Sequence, residues 1–297
     1  IDAGCLPSLL PGGRPVTDGA ARVDAATTWG VASLPTEPGL DTDAMLAAAT
    51  TGRLKALVIG GLELADLADP AAARAAVEHV DFVLCLEQRL SEAATMADVV
   101  LPVALLEEQS GTFVNWEHRP RPVARVNREL ASPMTDIRTL ASLADAMGRD
   151  LVVRNPGQAR AELAELGAWD GVRVSGPTQE AETSGSAAYD LRLATWRELI
   201  DDSRHNDGAD ELLATAKTPV ARLSPATAER HGLAAEVLVA VATPHGSVTY
   251  PLVIDETVVD GVVWVPARPV GASVPERLGG RPGDSVTIAA AKDGVVA

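Results

Sequence analysis

The sequence predicts two tandem α/β domains, a layered helix–strand domain over 41–170 and a barrel-like domain over 189–297. Three observations predict this. From Asp41 to about residue 126, capped helical stretches alternate with short apolar runs, the pattern of a parallel sheet covered by helices. Residues 170 to 187 are rich in Gly, Ser, Thr and Glu without periodicity, which marks a linker over about 171–188. From Tyr189 onward short β-branched runs dominate, with one small helix among them, the texture of a closed barrel. A chain of 297 residues suits two domains by size.

Taken in order, residues 1–40 form an irregular first segment, because Pro7, Pro11, Gly12, Gly13, Pro15, Pro35, Pro38 and Gly39 interrupt regular structure. Asp41 can cap a helix through Met45 to Thr50, stopped by Gly52, and Leu54 to Ile59 reads as a buried strand ending at Gly60–Gly61. Asp69–Pro70 starts a second helix through Val77, followed by an apolar strand from Phe82 to Leu86. A short helix from Ser91 through Met96 leads into the strand from Asp98 to Pro102, and Gly111 to Trp116 is a further extended piece. Ile137, Leu140, Leu143, Ala144 and Met147 recur at helical spacing between Thr135 and Gly148. Asn155–Pro156 opens another helix that ends at Gly167.

In the second domain the strand candidates are Leu191 with Leu193, Val237 to Ala242, Val248 to Ile254, Val262 to Val265 and Ser285 to Ile288. Ser224–Pro225 caps a short helix ending at His231–Gly232, and Pro244-His245-Gly246 is a turn between two strands. No internal repeat is present.

Composition excludes several functions. A formal net charge of −16 opposes binding to a phosphate backbone or an anionic lipid surface, so no nucleic-acid partner is expected. The longest charge-free apolar run of the central region, between Asp98 and Glu107, falls short of the ~20 residues of a membrane helix, so no direct membrane insertion is expected. The chain starts at Ile1 without a leader pattern, as expected of an internal piece of a larger protein. Cys5 and Cys85 form neither a disulfide framework nor a C-x-x-C pair, which fits a reducing cytoplasm.

The sequence carries few chemistry-bearing patterns. His79, His118, His205, His231 and His245 lie singly, outside metal-binding spacings, so no metal ligands are expected. His118 follows a strand end, where functional loops concentrate, but reads better as an exposed loop histidine. Gly60–Gly61 lacks the spacing of a dinucleotide loop and reads as a strand-to-helix turn; Glu107–Glu108 read as a solvated strand end. Cys85 lies in an apolar run and reads as core packing. No catalytic residue emerges.

Two stretches carry a resemblance. Ala97-Asp98-Val99-Val100-Leu101-Pro102, followed by Glu108-Gln109-Ser110-Gly111-Thr112-Phe113-Val114-Asn115-Trp116-Glu117, resembles a signature of the molybdopterin oxidoreductase family. Downstream, Val220 to Ile288, with Ser224-Pro225-Ala226-Thr227-Ala228, Gly232-Leu233 and Gly283-Asp284, looks like that family's dinucleotide-binding barrel. The resemblance implies an α/β parallel-sheet Rossmann-like domain followed by a double-psi β-barrel. Within the family, Leu10-Pro11-Gly12-Gly13-Arg14-Pro15 and the ending Gly271-Ala272-Ser273-Val274 with Gly279 and Gly283-Asp284 look most like the G-subunit branch of bacterial NADH-quinone oxidoreductases (respiratory complex I).

That branch implies a parent protein holding iron–sulfur clusters outside this chain, other peripheral-arm subunits as partners, and a cytoplasmic place on the inner face of the membrane. It also implies a family fold kept without molybdopterin, so Gly111, Thr112 and Asn115 are vestiges of a cofactor-binding site. Where the family has Glu-Gly-Arg this chain has Glu117-His118-Arg119, a bulky imidazole replacing glycine at a turn. A turn-closing role would also preserve Gly111, Thr112 and Asn115. The expected function is therefore a scaffold for assembly and packing. The rivals are a cofactor-gripping half of an active formate dehydrogenase or nitrate reductase, and a free-standing binding module.

Overall fold

The computed structural model describes residues 6–117, 119–127, 133–174, 191–271 and 273–291. The chain divides into two compact units, one of residues 1–62 with 75–179 and one of residues 63–74 with 180–297.

The first unit opens on β1 (Leu9–Leu10) and β2 (Arg14–Pro15), paired antiparallel around the Pro11-Gly12-Gly13 turn. Gly12 has φ +75°, and a Cβ there would lie 2.7 Å from Arg14 Nη1. The turn thus needs glycine twice, for its dihedral and for room. Helix α1 (Gly19–Thr28) follows, its N-terminus held by Asp18 Oδ1, which accepts from Ala21 N at 3.0 Å. This corrects the irregular reading of 1–40: Gly and Pro cluster on either side of the helix, and its buried side chains are the small Ala21, Ala25 and Ala26, which leave no periodic run of large apolar residues.

Asp41 caps α2 (Thr42–Thr50) through Ala44 N, as expected. A three-stranded parallel sheet then assembles in the order β3 (Leu57–Gly60), β4 (Val83–Glu87), β5 (Val99–Pro102), with Leu57 opposite Val83 and Leu84 opposite Val99. Only β4 is buried along its length. The run at Leu54 to Ile59 is shorter and less enclosed than a central strand, because β3 is an edge and Val58 is 59% exposed. Between β3 and β4 runs α3 (Pro70–His79), at whose Ala75 the chain returns to this unit. Ser91 caps α4 (Glu92–Met96). After β5 come the hairpin β6 (Gly111–Val114) and β7 (Pro120–Val123), then α5 (Asp136–Ala146) and α6 (Pro156–Leu166). The expected linker is described only to Val174; its remainder lies outside the described residues.

One side chain ties the ends of this unit together. Arg14 is 1% exposed, donates to Leu166 O at 2.7 Å and Gly167 O at 3.1 Å, pairs with Asp24 at 3.3 Å, and stacks over Trp169 at 5.5 Å. Its guanidinium satisfies carbonyls left open at the C-terminus of α6 and complements the negative end of that helix.

The second unit is a closed barrel. Its strands are β8 (Leu191–Trp196), β9 (Ala221–Leu223), β10 (Leu238–Ala242), β11 (Ser247–Ile254), β12 (Val262–Pro266) and β13 (Ser285–Ala290). They are ordered β10-β11-β9-β12-β8-β13, and β13 pairs back onto β10. β11 with β9 and β12 with β8 are parallel, while the other pairs are antiparallel. Period-two alternation sends Val239, Val241, Val248, Tyr250, Leu252 and Val263 inward, each at most 1% exposed.

Three short helices, α7 (Asp210–Leu213), α8 (Pro225–Arg230) and α9 (Val274–Leu278), complete the unit. Ser224 caps α8 as expected, and Val274 and Leu278 of α9 join the barrel core. Residues 63–74 add Asp66, which pairs with Arg268 at 2.9 Å and Arg197 at 3.5 Å, and Arg74, which pairs with Glu276.

Candidate functional site

Gly111, Thr112 and Asn115 sit together on the β6–β7 hairpin. Thr112 lies opposite Pro122 and Val114 opposite Pro120. Two prolines in β7 hide this strand from a sequence reading, yet a two-stranded ribbon tolerates them where a central strand would not. Asn115 closes the turn: its Oδ1 accepts from Glu117 N at 3.0 Å and Arg119 N at 2.9 Å, and its Nδ2 donates to Glu117 Oε2 at 3.5 Å. Arg119 Nη2 in turn donates to Glu117 Oε1 at 3.1 Å. His118 lies outside the described residues.

Thr112 is exposed, and its Oγ1 accepts from Arg160 Nη1 at 3.4 Å. An added Cβ at Gly111 would meet nothing within 4 Å. The hairpin's apolar residues face outward as well: Phe113, Val114 and Trp116 are 56%, 58% and 88% exposed. The three residues singled out by sequence are therefore brought together, on a solvated ribbon, with the Asn115 carbonyl turned onto the ribbon's own backbone and its amide nitrogen onto the Glu117 carboxylate.

The C-terminal edge of the parallel sheet is where an open α/β sheet usually places a ligand. Gly61 adopts φ +58° and donates its N–H to Leu86 O at 3.3 Å, so the glycine pair makes a turn there. Glu87, at the end of β4, is 2% exposed. Its Oε2 accepts from Ser91 Oγ at 3.2 Å, its Oε1 from Gln88 N at 2.9 Å, and Ser91 Oγ accepts from Ala94 N at 3.2 Å. This buried carboxylate escapes a sequence reading. Its one signal is a glutamate closing an apolar run four residues before a helix-capping serine. Cys85 is fully buried beside it in β4 and belongs to the core.

In the barrel, the turn regions of β10–β11 and α9–β13 enclose a polar cavity of about 270 Å³ lined by Arg192, Thr243, His245, Asp284 and Ser285 among others. Its polar groups also point back at the fold. Arg192 Nη1 donates to Gly283 O at 3.1 Å and Ser285 Oγ at 3.0 Å, Asp284 Oδ2 accepts from Arg281 N at 2.6 Å, and Thr243 Oγ1 donates to Leu278 O. Gly246 fits flush against α9, since a Cβ there would lie 2.0 Å from Arg277 O. Among the described residues no group of three or more His, Cys, Asp or Glu could hold a metal ion.

Comparison with known proteins gives two family matches in chain order. Residues 11–145 match the model described as molybdopterin oxidoreductase, and residues 191–292 match the molydopterin dinucleotide binding domain. The chain is 44% identical to the G subunit of NADH-quinone oxidoreductase from Mycobacterium tuberculosis over 281 residues, covering 94% of this chain and 35% of that protein. It is 44% identical to the corresponding protein of Streptomyces coelicolor over 295 residues, covering 97% of this chain and 35% of that protein. The chain thus spans about a third of the length of the curated relatives it matches. Among solved structures, acetylene hydratase from Pelobacter acetylenicus superposes with a TM-score of 0.53 at 19% identity, covering 92% of this chain and 45% of that one. That likeness speaks for the fold alone.

Proposed function

Because the chain belongs to the molybdopterin oxidoreductase family, we propose that it is a scaffold portion of the G subunit of an NADH-quinone oxidoreductase, serving assembly and packing. The observation that carries this reading is the 44% identity to two such proteins across nearly the whole chain. The parent enzyme passes electrons from NADH to quinone, and in this reading its iron–sulfur clusters lie in the part of the protein outside this chain. From the sequence pattern we assign a domain over 41–170 and another over 189–297 with a linker over 171–188, and we read the first as Rossmann-like and the second as a double-psi barrel.

A pterin dinucleotide, which the family implies, does not fit Gly111, Thr112 and Asn115 as they are placed. A ligand needs outward donors and acceptors, and the carbonyl of Asn115 already receives Glu117 N and Arg119 N. We therefore take the three as a structural remnant. The partners are the other peripheral-arm subunits, on the cytoplasmic side of the membrane. Among the described residues no helix is long and apolar enough to cross a membrane.

The test is isolation of the intact protein from its source membranes through an affinity tag. Co-isolation with NADH:quinone oxidoreductase activity and with iron and sulfide, without fluorescent pterin on denaturation, is the expected result. Stoichiometric pterin, or isolation without any other polypeptide, overturns it.

A further inference from the structure

The C-terminal end of α1, helix α5, the segment 150–153 and helix α6 enclose an open groove of about 610 Å³ in the first unit. Its floor is apolar and uncovered: Trp29, Leu140, Leu151 and Val152 are 37%, 41%, 47% and 71% exposed. Scattered apolar residues are ordinary on a surface, but several converging on one trough mark a contact site. Helix α6, which forms one wall, has no buried residue along its 11 positions. Helices of that length are marginal without a buried stripe, so this wall lacks its usual cover.

Charge identifies what covers it. The lining includes Asp150, Glu162 and Glu165 and no basic residue. Asp150 is engaged by Arg154 at 2.9 Å, but among the described residues Glu162 and Glu165 have no side-chain partner. They lie three positions apart on α6, on one face at the groove's edge. A small apolar ligand would fill the floor and leave both carboxylates unanswered. An amphipathic helix with Lys or Arg flanking its apolar face answers both at once. We infer that this groove receives such a basic amphipathic helix from a neighbouring polypeptide, an inference that rests on the reading of the chain as part of a multisubunit enzyme.

The test uses the intact protein and a fluorescent Leu–Lys model helix as probe. Replacing Glu162→Lys with Glu165→Lys is expected to weaken binding roughly tenfold and to flatten its salt dependence, since two attractions become two repulsions. A control of equal charge, Glu229→Lys with Glu256→Lys on the second unit, is expected to change it by about twofold at most. Val152→Asp, which spoils the floor, is expected to weaken it as well. Equal loss in both charge-reversed variants would show a response to overall acidity and overturn the proposal, as would full binding by Val152→Asp.

In the tagged complex, a photo-crosslinking residue at Val152 is expected to capture a Lys- or Arg-bearing helical segment of another polypeptide. Capture within the same polypeptide, or none, overturns the partner assignment. Isolation of the wild type without other polypeptides would instead overturn the assembly reading, while the titration still decides the chemistry of the groove.

Discussion

Arg14 shows how much a single side chain can hold. It is enclosed to 1% exposure and bonded to Leu166 O and Gly167 O some 150 residues along the chain. Arg14→Leu leaves those carbonyls and the Asp24 carboxylate without their partner, and should cost roughly 2–4 kcal/mol of stability. Arg14→Lys keeps the charge but not the fork, and should recover only part of that loss. Thermal unfolding of the three proteins side by side checks the order. Asn115 makes a second test. Asn115→Ala should lose about 1 kcal/mol, whereas Asn115→Asp keeps the acceptor for Glu117 N and Arg119 N but replaces the amide that donates to Glu117 Oε2 with a second carboxylate, and should recover only part of that loss. Hydrogen exchange at the Arg119 amide reports both.

Elements differ in how openly the sequence announces them. Strands β10 and β11 alternate in burial because one face of each is sealed in the barrel, whereas β12 is buried along nearly its whole length. Helix α5 announces itself by an apolar stripe although Leu140 and Met147 of that stripe are exposed and its buried positions are Thr139 and Ala141. Helix α1 is hidden because alanines do its packing. Strand β9 is hidden by its three-residue length, and β7 by its prolines. The candidate site is legible as a cluster, Gly111 with Thr112 and Asn115, and a turn-closing role for it is legible too, but the amides that Asn115 bonds are not, because they depend on where β7 returns. Glu87 is not legible either, since its burial follows from the central position of β4.

The barrel strands hold buried polar atoms without a hydrogen-bond partner among the described residues: Thr195 Oγ1, Trp264 Nε1 and the Tyr250 hydroxyl. The Tyr250 hydroxyl is fully buried in β11 with no hydrogen-bond partner among the described residues, and burial pushes its ionisation upward. Tyr250→Phe removes an unsatisfied group while keeping the ring, so stability should be unchanged or higher by up to about 1 kcal/mol, read as the urea midpoint.

For the molecule as a whole, acid is the weak direction. Burial alone would raise the Asp201 carboxyl, but hydrogen bonds from Arg197 and Ser203 and the charges of Arg197 and Arg268 hold it below its ordinary value of 3.8. Hydrogen bonds from Thr257 and Arg222 hold Asp255 low, and Arg154 does the same for Asp145 in the first unit. Each carboxyl is depressed in the folded state, so its contribution is complete above 3.8 and is lost as pH falls through the lower folded values. Melting curves between about pH 6 and about pH 3 should therefore fall most steeply at the acid end, and Asp201→Asn should make that fall shallower.

Residues 63–74 group with the barrel although first-unit sequence flanks them on both sides. A gene segment encoding only 180–297 would deliver Arg197 and Arg268 without Asp66, and Glu276 without Arg74. Exchange of either half alone separates these ion pairs, so a chimaera that keeps them has to break the chain outside both halves.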